Sequence, residues 1–193
     1  MPVSGTEMST QEKILTLADT FIQQRGFQGF SYADLEKGIG IRKASIHHHF
    51  PSKTDLGLAY CDYKLAAFQK LQINLQQVAP GIQRLKGYLD TFSKCTTLGE
   101  MCGVYAMLSD SYQFPPELQA AVNRLAQAEL NILQDILVSG QESGEISLNG
   151  ISPNQLAMII CSALKGALML NRASPHTAYA ETVAALLAMF TSR

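Results

Sequence analysis

Residues 31–53 read SYADLEKGIGIRKASIHHHFPSK, and the punctuation of this stretch decides the fold. Ser31 followed three residues later by Asp34 is a helix-start pair, in which hydroxyl and carboxylate each take a backbone N–H that the first turn leaves open. Leu35 faces inward, the helix ends around Gly38, and Gly38-Ile39-Gly40 makes a tight turn. A second short helix runs roughly from Arg42 to His49, with Ile46 and Phe50 on its inner side and Pro51 closing it. Two short helices joined by a glycine-bearing turn are the pattern of a helix-turn-helix.

Charge agrees with that pattern. Between residues 37 and 53 lie four basic residues (Lys37, Arg42, Lys43 and Lys53), no acidic one, and three histidines. The whole chain has a formal net charge of −1, so the positive field is local. In a helix-turn-helix the second helix lies in the major groove with its N-terminal residues against base edges. Arg42 suits guanine O6 and N7, Ser45 suits donor or acceptor edges, and the Ala44 methyl suits a thymine methyl. The bland alternative for such a run is a solvated surface face. His47, His48 and His49 point about 100° apart on a helix. They do not converge on one ion, so the reading contains no metal site.

Working outward, the chain is read as all-α. Ser9 or Thr10 starts a first helix, with Glu12 three residues after Ser9, and Ile14, Leu17, Ala18, Phe21 and Ile22 share its inner face before Gly26. Ser52 caps a longer helix containing Leu56, Tyr60, Tyr63 and Phe68. Further helices are expected from Pro80-Gly81 through Phe92, from Val104 to Phe114, over Glu117–Gln141, over Ser152–Asn171, and from Pro175 to Thr191. The division is a three-helix head, residues 1–55, and a larger helical domain, residues 56–193, meeting within the fourth helix.

Composition sets bounds. Hydrophobic residues are 47% and charged ones 16% of 193 residues, which excludes a disordered chain. The apolar stretch from Leu156 to Leu170 carries Lys165 and falls short of the about 20 residues that cross a bilayer. Residues 1–11 lack a signal peptide's basic start and apolar run. A cytoplasmic protein with no membrane partner, no cofactor and reduced thiols is expected. The four cysteines (Cys61, Cys95, Cys102 and Cys161) include no C-x-x-C pair. No phosphate-binding glycine loop, H-E-x-x-H or G-x-S-x-G motif occurs, so an enzyme is not expected.

The run Phe30-Ser31-Tyr32-Ala33-Asp34-Leu35, then Gly40-Ile41, then Ala44 through Lys53 resembles the DNA-binding signature of the TetR family over roughly residues 10–60. The resemblance implies a homodimeric repressor with an N-terminal reading head and a C-terminal effector-sensing and dimerising domain. It implies base or backbone contacts for Arg42, Lys43, Ala44, Ser45, His47 and His48, and phosphate contacts for Tyr32 and Lys53. One departure is visible: family members usually carry Tyr where this chain has His47, whose ring hydrogen-bonds over a shorter reach. In such a dimer two recognition helices read a palindrome, and a ligand that alters their separation lowers affinity.

In the C-terminal half, Ala163, Gly166 and Ala167 on one helix and Ala180, Ala184 and Ala188 on the last suit close helix pairing, either within the chain or across a dimer. Tyr63, Phe68, Tyr88, Phe92, Met101, Tyr105, Met107, Tyr112 and Met169 are candidates to line an apolar effector pocket; plain core packing is the alternative for each. Cys102, in Gly99-Glu100-Met101-Cys102-Gly103, stands before a helix start, which stabilises a thiolate. Lys165 is the candidate to support it. The layout from Cys102 to Gly144 is similar to the NemR branch of that family, which senses electrophiles or oxidants through a cysteine at about this place. Two readings stay open: Cys102 as a reactive sensor, or as a buried core thiol beside a reversible ligand. Outside the family reading stands a helical protein that binds DNA without sequence preference, for which random duplex would shift in a gel as readily as promoter.

Overall fold

Four helices open with one device, a serine at the N-cap and an acid or amide three residues on. Ser9 and Glu12 start α1 (Thr10–Arg25), Ser31 and Asp34 start α2 (Tyr32–Ile39), Ser52 and Asp55 start α4 (Lys53–Gln76), and Ser152 and Gln155 start α8 (Pro153–Leu170). In each the serine N–H donates to the partner side chain, at 2.8, 2.8, 2.9 and 3.2 Å in turn. The remaining helices are α3 (Lys43–His49), α5 (Ile82–Asp90), α6 (Gly103–Asp110), α7 (Pro116–Glu142) and α9 (Ala178–Thr191). This computed structural model describes residues 8–93, 96, 99–173 and 175–191, and no strand occurs among them. Cys95 and most of the N-terminal segment read above lie outside these residues.

Several boundaries differ from expectation, α5 among them, which ends at Asp90 rather than Phe92. The second helix passes Gly38 and ends at Ile39, because Gly40 (φ 77°) takes the left-handed conformation that ends a helix and returns its N–H to the Glu36 carbonyl at 2.9 Å. The α6 region is shorter than expected: a separate 3₁₀ turn, Ser111–Gln113, precedes Phe114. The last helix begins at Ala178 rather than Pro175.

The head packs α1, α2 and α3 around Ile14, Ala18, Ile22, Leu35, Ile46 and Phe50, all buried. Helix α4 then carries the chain without a break into the larger half. There α7 is central, packing most extensively on α8 and α4, while α9 lies on α8 and α5. Helix α8 is long and apolar enough, by length and composition alone, to cross a membrane, contrary to the sequence expectation. Here its inward residues Leu156, Ile160, Leu164 and Leu168 are buried in the core.

A polar seam joins head to C-terminal half. The Met101 N–H donates to the Gln23 carbonyl at 2.9 Å. The Gln24 amide donates to Glu100 at 3.1 Å, and the Gln28 N–H to the Asp110 carboxylate at 3.1 Å. The Tyr60 hydroxyl and the Lys64 ammonium both reach Asp19, at 2.7 and 3.2 Å.

Candidate nucleic-acid interface and sensing cavities

Helix α3 is held by one buried side chain, Ile46, while Arg42, Lys43, Ala44, His47 and His48 are exposed and Ser45 is half-buried. Arg42 occupies the N-cap, with extended backbone (φ −69°, ψ 143°) and no side-chain cap of its own. The missing cap comes from the preceding helix: the Lys43 N–H donates to Glu36 Oε1 at 3.0 Å. The Arg42 side chain is therefore not spent on its own helix terminus. The sequence reading missed Glu36, since its partner lies seven residues away across a turn.

The two residues expected to contact phosphate turn inward in this structure. Tyr32 is buried, and its hydroxyl reaches the carbonyls of Phe50 and Ser52 at 2.8 and 2.6 Å. Burial, with the negative charge of Asp55, pushes that phenol up to about 12. Tyr32 thus braces the end of α3 against the start of α4 instead of facing outward. The Lys53 ammonium turns inward too, donating to the Phe30 carbonyl and lying 4.5 and 5.1 Å from the Phe30 and Phe27 ring centroids. His47 packs on Tyr32, ring centroids 4.8 Å apart, with Nδ1 against the Pro51 carbonyl at 3.1 Å.

The nine residues expected to share one pocket are not gathered by any one cavity found among the described residues. Tyr88 and Met107 are fully buried core, and Met101 is buried as well. Tyr63 is half-buried against the core. Tyr112 is 80% exposed on the 3₁₀ turn, and Met169 is exposed on α8. Phe68 and Phe92 line a cavity of about 210 Å³ with Gln23, Lys64, Cys102 and Val104. Tyr105 lines another, of about 410 Å³, between α6, α7 and α8, with Glu129, Cys161 and Lys165. Val104 borders both cavities.

Cys102 is the N-cap of α6 and is buried. Lys165 pairs with Glu129 and sits 4.2 Å from the Phe92 ring centroid. Burial opposes the charge of that ammonium, but Cys102 and Glu129 outweigh it and hold the lysine above its ordinary range. Burial and neighbouring carboxylates push the thiols of Cys61 and Cys161 up to about 12, so both stay protonated at neutral pH. Glu129, too, was missed by the sequence reading. Its signal was available: an acid in phase with Val122, Leu125, Ile132 and Ile136, on the apolar stripe of α7.

Residues 14–60 match the family described as bacterial regulatory proteins, tetR family, and residues 81–187, over half the chain, match the tetracyclin repressor-like C-terminal domain. The chain belongs to the TetR family. It is similar to the HTH-type transcriptional repressor NemR of Escherichia coli K12, 26% identical over 167 residues that cover 84% of this chain and 83% of that one. A TetR-family regulator from Agrobacterium tumefaciens superposes with a TM-score of 0.86 at 26% identity, covering 94% of this chain and 97% of that one. Reduced E. coli NemR shares the fold, with a TM-score of 0.77 at 22% identity over 94% of this chain and 97% of that one. This TetR protein is accordingly a DNA-binding transcriptional regulator built on a helix-turn-helix, not an enzyme.

Proposed function

We propose that this regulator is a cytoplasmic homodimeric repressor that reads a palindromic operator through α3 and leaves it when an effector engages the C-terminal half. The observation that carries this is the presentation of α3: Ile46 and the Glu36 cap hold it, and Arg42, Lys43, Ala44, His47 and His48 are exposed, with Ser45 half-buried among them. The dimer reading is supported by the outer face of α8 and α9. Ile159, Met169, Leu170 and Met189 are exposed there, beside the small residues Ala184 and Ala188. Gel shifts with promoter and random duplex test the reading head. Arg42→Ala should cost about 1–3 kcal/mol on operator and relax base preference while sparing binding to random DNA. Equal losses on both duplexes would remove Arg42 from base reading.

A second reading concerns the signal. Cys102 lies in a cavity wall, interacts electrostatically with Lys165, and adjoins Met101, whose N–H is bonded to α1. These support a sensor in which modification of Cys102 displaces α6 and, through it, the head. Iodoacetamide or hydrogen peroxide should release wild-type protein from operator and leave Cys102→Ser bound. Release of the serine variant would refute the assignment.

A further inference from the structure

The cavity between α6, α7 and α8 has an apolar wall and a charged floor. Val104, Leu108, Ala126, Leu130 and Met158 form the wall, and its volume of about 410 Å³ is that of a small-molecule site. On the floor, Glu129 and Lys165 are only 1% and 7% exposed. Glu129 Oε1 takes both the Lys165 ammonium and the Tyr88 hydroxyl, the latter at 3.1 Å. Glu129 Oε2 has no hydrogen bond among the described residues. Glu129 lines this cavity, and an acceptor there that no donor among the described residues takes can receive one from a ligand. The ammonium beside it has three N–H groups, only one of them on Glu129.

We propose that this cavity binds an uncharged hydroxylated ligand with an aromatic or aliphatic body, whose hydroxyl donates to Glu129 Oε2 and accepts from Lys165. The proposal rests on the reading of the C-terminal half as ligand-responsive and narrows it to a chemical class. Charge selects that class. The ion pair is neutral as a unit, so a carboxylate ligand gains Lys165 but meets Glu129, and an ammonium ligand gains Glu129 but meets Lys165, and neither charge is favoured overall. A hydroxyl matches both ends of the pair at once. Cys161, in the same wall, stays protonated and adds no charge.

The test uses the full chain under reducing conditions at neutral pH with three probes of one shape: 2-naphthol, 2-methylnaphthalene and 2-naphthoate. Fluorescence titration should show naphthol binding about tenfold or more tighter than either of the others, as expected for hydrogen bonds to charged groups. The ¹³C-methyl resonance of Met158, assigned through Met158→Leu, should move with naphthol. Equal or tighter binding of naphthoate or methylnaphthalene, no binding of naphthol, or an unmoved Met158 signal would overturn the proposal. Glu129→Gln leaves Lys165 without its counter-charge and should shift preference toward naphthoate; a folded variant that still prefers naphthol refutes the role of the pair. Should that variant fail to fold by circular dichroism, the wild-type order of the three probes decides. Naphthol that binds as expected without releasing operator leaves the site standing and removes the effector role. Operator release by another compound, with no naphthol binding, does the reverse.

Discussion

A Cβ placed on Gly103 would stand 2.1 Å from the Tyr60 hydroxyl, a fully buried group bonded to Asp19. Helix propensity alone favours alanine over glycine by up to about 1 kcal/mol, whereas overpacking a tight contact costs about 1–3 kcal/mol. The second effect wins here, because Tyr60 is fully buried and its hydroxyl is held by Asp19. Gly103→Ala should therefore destabilise the protein in a urea titration, and Gly103→Ala with Tyr60→Phe should recover part of the loss. An unchanged or raised midpoint in the single variant would show that the contact relaxes freely. The same scale explains what sequence reasoning could and could not see. Tyr32 sits at a family signature position, but that its hydroxyl turns inward depends on the carbonyls of Phe50 and Ser52, 18 and 20 residues on. Glu129 and Lys165 are separated by 36 residues, and each was visible only as a lone charge in an apolar stripe.

Helix ends were the most legible elements, because a cap is written within four residues of sequence. Ser9 with Glu12, Ser31 with Asp34 and Ser152 all fall where their patterns place them. The capping carboxyls also carry a pH signature. Hydrogen bonds to Ser9 and Ser31 hold Glu12 and Asp34 below their ordinary values of 4.5 and 3.8. A lowered folded-state value means that the contribution is complete above those ordinary values and fades as pH falls through the lowered ones. Thermal midpoints should thus fall less steeply with acid in a Ser9→Ala, Ser31→Ala variant than in wild type below about pH 4. The cap of α3 escaped the sequence because Glu36 reaches it from another helix. Glu36→Ala should cost about 1 kcal/mol of stability and reduce the ratio of operator to random-duplex affinity. Glu36→Gln removes the same negative charge but keeps an acceptor, so it should preserve that ratio. If both variants behave alike, electrostatics rather than the cap governs α3.

At the scale of the molecule, head and C-terminal half were legible as a pair, whereas the seam between them was not. Its bonds link residues 41 to 82 apart, from Asp19 with Tyr60 to Gln28 with Asp110, and no local pattern encodes them. The outer face of α8 and α9 belongs to this scale as well. Leu170 is 69% and Met189 61% exposed, and placing a charge there leaves an isolated chain undisturbed while opposing association. Leu170→Glu with Met189→Glu should sediment as a monomer and bind operator far more weakly, with its circular dichroism unchanged. A variant that remains dimeric would place the dimer contact on another surface. The seam also limits how freely this architecture can be recombined. A reading head borrowed from a relative would carry its own side chains at the positions of Asp19 and Gln24, whose partners Tyr60, Lys64 and Glu100 stay behind, while the backbone bonds of Gln23 and Gln28 pass to whatever residue stands there. Such a hybrid is expected to keep its new operator and lose its response to signal, until the stranded half of the seam is transplanted with the head.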